Sequence, residues 1–361
     1  MLKINYKNTF WKTIYNRLAY FSRIIKNKIL NRVEPITVGF FVNSRCNFKC
    51  KYCFGDYYAR HDNEYTTEQI IKIVDELYNM GTRLMVVHGG ETLLRDDIGY
   101  IIDYIKNKGI YIGISTNGTF LKHRLNEIRN VDNLNISLDG AEEGNDQNRG
   151  VGTFKTTLDA IKLAKKEGFR LRVQATLTKY TMNDIEYMAK LAKEVGFFLE
   201  FSILYKPLNY DASDLAMSDE EIKMAVQKII DCKKKGYPIF TSYSVLNNAL
   251  NWPFSHNDCS KIYSDEIKKY PQLIRCHYGK SKVVIDSDGF IYPCAPLISE
   301  FGGLNLKEVG VRAAYEHVLK TNTCEACYHL TNNDYNLLLG LNRGQILNQI
   351  VIQIRELFGW Y

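Results

Sequence analysis

The 361-residue sequence contains no uninterrupted run of about 18 apolar residues, so no membrane-spanning helix is expected. Its first 33 residues contain no acidic residue against eight basic ones (Lys3, Lys7, Lys12, Arg17, Arg23, Lys26, Lys28, Arg32). Those charges interrupt the apolar positions too often for the h-region of a secretory signal. The remainder carries 39 basic residues against 40 acidic, so the net charge of +7 belongs to the arm and the body is neutral. A neutral body lacks the basic stripe of a nucleic-acid-binding fold, and no nucleic-acid partner is expected. Internal repeats and low-complexity tracts are also lacking. With 45% hydrophobic and 24% charged residues, the composition excludes disordered and collagen-like classes.

Cysteine is what the chain has, and it is grouped: Cys46, Cys50, Cys53, Cys232, Cys259, Cys276, Cys294, Cys324 and Cys327. The number is odd and the chain is long enough to bury a core without disulfides. The expected compartment is cytoplasmic, where clustered cysteines point to metal or redox chemistry.

From residue 36 onward, strand-like and helix-like stretches alternate. Strands are expected at 36–43, 83–87, 110–115, 133–138, 170–176 and 198–203, and helices at 67–80, 97–108, 121–128, 154–167 and 182–195. Strict alternation means βαβ units and a parallel sheet, open or closed into a barrel, with the chemistry in the loops at the carboxyl ends of the strands. After residue 204 the alternation stops. A helix at 218–234 precedes an aperiodic stretch at 243–272, a hairpin at 281–294 turns at Ser287-Asp288-Gly289, and a helix follows at 307–319. The expected division is a basic helical arm at 1–33, an α/β core at 34–215, a linker at 216–270, a small cysteine-bearing module at 271–334 and a terminal helix at 335–361.

In the arm, Phe10, Ile14, Leu18, Phe21, Ile25 and Ile29 fall on one helical face, with Lys12, Arg23 and Lys26 away from it. Such a helix either packs its stripe on the barrel, the general expectation, or lies on an anionic membrane surface. A second amphipathic helix at 344–358 is expected to bury Leu347, Ile350, Val351, Ile354, Leu357 and Phe358 against protein.

The first strand runs straight into Cys46-Asn47-Phe48-Lys49-Cys50-Lys51-Tyr52-Cys53. A structural zinc site wants four ligands, usually from two paired knuckles. Three thiolates in one loop instead suit three irons of a four-iron, four-sulfur ([4Fe–4S]) cluster, leaving the fourth iron open to a ligand. A zinc knuckle or incidental thiols is the plainer alternative.

With these residues in place, the sequence resembles the radical S-adenosylmethionine superfamily over roughly residues 36–205. Cys46, Cys50 and Cys53 match its CxxxCxxC loop. Gly89-Gly90-Glu91 follows the second strand like the family's GGE element, which binds the amino group of the methionine moiety. The glycines let backbone approach a ligand, and the carboxylate complements an ammonium. Ser115-Thr116-Asn117-Gly118 and Ser137-Leu138-Asp139-Gly140 end the third and fourth strands and resemble the elements around the ribose and the methionine carboxylate. Phe54 sits where the family places an aromatic residue beside the adenine. The resemblance thus implies Phe54, Gly89, Gly90, Glu91, Ser115, Asn117 and Ser137 as cofactor-binding residues, on a partial (β/α)6 barrel. Singly, a GG or NG pair is also an ordinary turn signal. Thr92 departs from the proline common after GGE, and His88 either faces the substrate or is satisfied by the turn.

The second set, Cys276, Cys294 and Cys324-Glu325-Ala326-Cys327, is similar to the auxiliary-cluster modules called SPASM and twitch. With no cysteine between Cys327 and Tyr361, four thiolates suit the shorter twitch form, a hairpin-plus-helix module around one fully ligated [4Fe–4S] cluster. A four-cysteine zinc site is the alternative. Cys232 and Cys259 match nothing and read as buried thiols.

The resemblance implies an oxygen-sensitive enzyme with S-adenosylmethionine and two [4Fe–4S] clusters, reduced by a donor such as flavodoxin or ferredoxin. One electron cleaves the sulfonium to methionine and a 5′-deoxyadenosyl radical, which takes hydrogen from the substrate. An oxidation of a small polyol, glycan or lipid-linked substrate is the first expectation. A peptide or protein maturase is the second, and a non-enzymatic iron–sulfur electron carrier the third. Tyr205, Lys206 and Asp211 follow the sixth strand, none marked as a substrate base.

Overall fold

The computed structural model describes residues 6–60, 64–205, 213–257, 261–263, 266–298 and 301–361, without the side chains of residues 6–10, Leu357 and Phe358. Cys259, Lys206, Asp211 and the side chain of Phe10 lie outside the described residues.

The chain opens with α1 (Tyr6–Ile29), followed by β1 (Thr37–Phe41), α2 (Thr67–Met80), β2 (Leu84–His88), α3 (Ile98–Asn107), β3 (Tyr111–Thr116), α4 (Leu121–Arg124) and β4 (Asn133–Ser137). Next come α5 (Glu142–Arg149), α6 (Thr153–Lys166), β5 (Leu171–Leu177), α7 (Ile185–Val195), β6 (Phe198–Ile203), α8 (Asp219–Lys234) and α9 (Tyr243–Leu250). The last part holds β7 (Lys261–Tyr263), β8 (Lys282–Ile285), β9 (Ile291–Tyr292), α10 (Leu306–Val309), α11 (Val311–Thr321), β10 (Cys324–Cys327), α12 (Leu330–Leu339) and α13 (Arg343–Phe358).

Eight strands form one sheet in the order β6-β5-β4-β3-β2-β1-β8-β9. β1 to β6 run parallel in sequence order, the arrangement of a partial (β/α)6 barrel. The alternation of aliphatic residues explains why: Met85 and Val87, Ile112 and Ile114, Leu134 and Ile136, Val173 and Ala175 all point to one buried face. Against that face pack the helices through Ile70, Val74, Leu77, Ile102, Ile105, Ile161, Met188 and Ala192. Each such isoleucine, valine, leucine or methionine contributes roughly 1.5–3 kcal/mol on full burial. Local signals set the helix ends: Thr66 and Gln69 form a capping box at α2, as do Ser218 and Glu221 at α8.

The structure departs from expectation in four places. β8 of the hairpin pairs in parallel with β1, Thr37 opposite Lys282, so the cysteine-bearing hairpin extends the barrel sheet. Residues 216–250, expected as linker, supply Ile222, Val226, Ile229, Val245 and Leu246 to the main core. Gly310 divides the expected helix at 307–319 into α10 and α11.

The fourth departure concerns the terminal helices, which leave much of their expected apolar stripes in solvent. Leu18 and Ile29 of α1 are 63% and 75% exposed, and Leu347, Ile350, Val351 and Ile354 of α13, expected buried, are exposed as well. Asn16, Asn27, Gln345 and Gln349 face inward, together with Tyr20, Ile24 and Ile352. The reason is the surface they cover. The strand starts there present carbonyls and a buried Lys106–Asp132 ion pair (2.8 Å), which need polar partners. Asn16 donates to the carbonyls of Lys106 and Ile110, and Lys106 to the Thr13 hydroxyl. Among the described residues no helix is long and apolar enough to cross a membrane.

Candidate active site and the two cysteine sets

Cys46, Cys50 and Cys53 occupy the loop leaving the carboxyl end of β1, all half-buried. Burial pushes the Cys46 thiol up to about 11 and that of Cys50 to about 12, so cluster assembly there must release protons. The backbone N–H of Phe48 donates to the Cys46 sulfur at 3.4 Å.

The loop is fastened to the neighbouring strand ends by polar side chains. Asp139, fully buried just after β4, accepts from the Tyr52 hydroxyl at 2.7 Å, from Arg149 at 2.8 and 2.9 Å, and from the Thr176 N–H at 2.9 Å. Arg149, on α5, also lies over the Tyr52 ring. Asn117, after β3, donates to Asn47 at 2.8 Å, and Asn47 donates to Thr119. These contacts tie the ends of β3, β4 and β5 to the cysteine loop.

Gly89 and Gly90 follow β2 where the β1 loop passes against them. A Cβ on Gly89 would meet Asn43 Oδ1 at 2.2 Å, and one on Gly90 the Arg45 carbonyl oxygen at 2.3 Å. Glycine is therefore required by the packing of two loops, whatever ligand approaches later. Glu91 is the residue expected to present a carboxylate to an ammonium. It is fully buried and accepts from the Leu93 N–H, the Thr116 hydroxyl and the Asn117 N–H, at 2.9, 2.6 and 2.7 Å. Burial raises its pKa while those donors oppose the rise. These hydrogen bonds clamp the β2 and β3 ends together.

Ser115 and Ser137 lie half-buried at the carboxyl ends of β3 and β4, beside these elements. Phe54 meets Phe41 and Tyr57 edge-to-face at 6.0 and 6.1 Å. His88 stacks on Phe41 at 4.9 Å; burial, assisted by Lys282, pushes it down to about 3, so its ring is neutral at physiological pH.

Cys276, Cys294, Cys324 and Cys327 are all buried and come from separate segments: a turn before β8, the end of β9, and β10. The Cys276 N–H donates to the Glu325 carbonyl at 2.8 Å, and β10 pairs with β7 so that Cys327 lies opposite Lys261. The Cys276 thiol is lowered by its hydrogen bond with Cys324, whose own thiol is raised by the same bond. Burial raises Cys294 and Cys327, with the other cysteines adding to it. Among the described residues, no three His, Cys, Asp or Glu side chains are gathered into a site for a single metal ion. What fits an iron–sulfur group here is the donor set itself, four mutually neighbouring buried thiols, together with a buried Tyr278 hydroxyl that has no partner beside them.

Sequence reasoning missed a polar run beside the second set. Lys261 donates to the Tyr205 hydroxyl at 2.9 Å, and the Tyr205 ring lies 5.2 Å from that of His329. This run connects the barrel mouth after β6 with the segment of Cys327. Only Tyr205 carried a signal, its place after the sixth strand. Lys261 had none because Tyr205 is distant in sequence, and Arg149 had none because nothing in a single arginine at a helix end marks its pairing with Asp139.

Residues 41–192 match the family model described as the Radical SAM superfamily. The chain is 26% identical over 260 residues to Fe-coproporphyrin III synthase of Methanosarcina barkeri, covering 69% of this chain and 64% of that protein. To mycofactocin maturase MftC of Mycolicibacterium smegmatis it is 30% identical over 295 residues, covering 78% and 70%. Of the first three curated relatives it spans between 48% and 64% of the length. Among solved structures, Streptococcus suis SuiB bound to the precursor peptide SuiA aligns with a TM-score of 0.65 at 17% identity, over 83% of this chain and 69% of that one. At that identity the likeness is one of fold.

Proposed function

We propose, from the premise that the chain belongs to the Radical SAM superfamily, that it uses S-adenosylmethionine and two [4Fe–4S] clusters to modify a peptide substrate by hydrogen abstraction. Cys46, Cys50 and Cys53 would hold the first cluster and Cys276, Cys294, Cys324 and Cys327 the second. When bound, the first cluster supplies the electron that splits S-adenosylmethionine into methionine and a 5′-deoxyadenosyl radical. The rest is done by the chain. The strand-end segments Gly89–Glu91, Ser115–Asn117 and Ser137, with Phe54, hold the methionine, ribose and adenine parts. Glu91 acts as the clamp of its loops, leaving backbone to meet the amino group. Asp139, Arg149 and Tyr52 fix the cysteine loop, so that its orientation costs little reorganisation when the cofactor arrives. The aromatic wall of Phe41, Phe54 and Tyr57 keeps water from the reacting side.

The observation that supports the peptide reading is the shared fold with SuiB, solved with its precursor peptide SuiA, over 83% of this chain, beside the likeness to the maturase MftC over 78% of it, well beyond the barrel residues 41–192. A buried second set of four thiols suits electron transfer, because a fully ligated cluster has no iron free for substrate. An external reductant of the flavodoxin or ferredoxin kind would supply the electron. The test is anaerobic incubation of reconstituted protein with S-adenosylmethionine, a strong reductant and candidate peptides, following 5′-deoxyadenosine and peptide mass. The expected result is 5′-deoxyadenosine and a mass change in a peptide, both absent in a Cys46/Cys50/Cys53 alanine variant. Cleavage stimulated by a polyol or glycan but by no peptide would overturn the substrate class. No cleavage with both clusters intact, under any of these substrates, would leave the electron-carrier reading.

A further inference from the structure

α1 and α13 cover the end of the barrel at which the strands begin. Tyr20 and Thr37 share a hydroxyl hydrogen bond of 3.1 Å at the start of β1, and Asn16 reaches the carbonyl preceding β3. Asn348 of α13 donates to the Phe240 carbonyl, and Tyr361 packs its ring on Phe198 at the start of β6. Arg17 donates to Gln353, joining the two helices.

With amides turned inward, the outer faces of both helices are apolar. On α1 they are Trp11, Tyr15, Leu18, Ile25 and Ile29, recurring at three- and four-residue steps with Ser22 in the stripe, and all between 47% and 75% exposed. On α13 they are Leu347, Ile350, Val351 and Ile354, between 42% and 62% exposed. Side chains of this size and number in one surface region mark an interaction site. Charge decides the occupant. Lys26 and Lys28 are exposed on opposite flanks of the α1 stripe and Arg32 is exposed just beyond it, whereas Arg17 is half-buried and Arg23 pairs with Glu34. A second copy of the chain would bring these cations face to face. An anionic lipid surface accepts both features, the apolar side chains at the acyl boundary and the lysines at the phosphates.

We propose that α1 and α13 together form a docking face by which the protein lies on an anionic bilayer surface. The cysteine loop is at the opposite, carboxyl ends of the strands, so the barrel mouth opens away from the bilayer. One strand and one helix diameter separate the two, roughly 30 Å. The lipid therefore holds the enzyme rather than feeding it, and the substrate reaches the mouth from water. Binding does not depend on turnover, so this proposal and the proposed function fail separately.

Full-length reconstituted protein is sedimented with vesicles of phosphatidylcholine alone or mixed with phosphatidylglycerol. Two exposed-face variants are compared, Leu18→Glu/Ile25→Glu and Ile350→Glu/Val351→Glu, with thermal melting by circular dichroism as the folding check. The expected result is binding to mixed vesicles that weakens with salt and falls about tenfold or more in each variant, at unchanged melting temperature. Failure of the wild type to sediment with mixed vesicles would overturn the proposal, as would equal binding to neutral ones or equal binding by the variants. A solution dimer dissolved by the same substitutions would assign the face to a second copy.

Discussion

The two cysteine sets differ in how the fold treats them. Cys46, Cys50 and Cys53 sit half-buried in one short loop, anchored from outside by Asp139 and Asn117, whereas Cys276, Cys294, Cys324 and Cys327 are buried and drawn from distant segments. A short loop at a strand end can be met by a diffusing ligand. A buried set assembled from a turn, a hairpin and a strand can only be filled as the fold forms. The first arrangement suits a reactive cluster, and the second a permanent electron-transfer centre.

The comparison is sharpened most by removing one ligand from each set. Cys46→Ala is expected to reduce 5′-deoxyadenosine to background, while Cys324→Ala keeps S-adenosylmethionine cleavage but loses product, with about four irons missing in either case. Equal loss of cleavage in both variants would erase the distinction. Asp139→Asn comes next. It leaves the buried Arg149 guanidinium short of its charge partner, and about 3–5 kcal/mol of stability should disappear in denaturant melts. It should also raise KM for S-adenosylmethionine more than it lowers kcat if the hub orients the loop. Gly90→Ala forces the Arg45 carbonyl away from 2.3 Å, an overpacking expected to cost about 1–3 kcal/mol and to weaken cofactor binding in an equilibrium titration.

The smallest effect concerns the support of the second set. Asp334, on the helix following Cys327, accepts from the Ser242 N–H and has an unpartnered second oxygen. Burial pushes its carboxyl up to about 7. The native state therefore keeps a proton that the unfolded chain releases near pH 4, so the contribution is full below about pH 4 and lost as pH rises through about 7. Asp334→Asn removes this dependence. The wild-type melting temperature should fall relative to the variant between about pH 4 and pH 7, and parallel curves would show that the group carries no such linkage.

The alternation of six strands and their helices was legible because each element announces itself within a dozen residues. The α2 span, Thr67–Met80, was read to the residue from its apolar spacing. The cysteine loop and the glycine pair were legible for the same reason. Glu91 was recognised, but its bonds to Thr116 and Asn117 were not, since these approach it only when β2 and β3 pair. Arg149 was invisible, because a single arginine at a helix end looks like any solvated charge until Asp139 is placed beside it.

Sequence by itself determined the parallel α/β architecture, the ligand loop and the second group of four cysteines, all of which follow from short-range period and spacing. Tertiary structure alone decided that the hairpin joins the sheet through β1, that Asp139 gathers the strand ends, and which faces of α1 and α13 look outward. An amphipathic pattern states that a helix has two faces but not which one the protein needs. Here the strand starts offered carbonyls and a buried ion pair, so Asn16 and Thr13 turned inward beside Tyr20 and Ile24, and Leu18 and Ile29 were left outside.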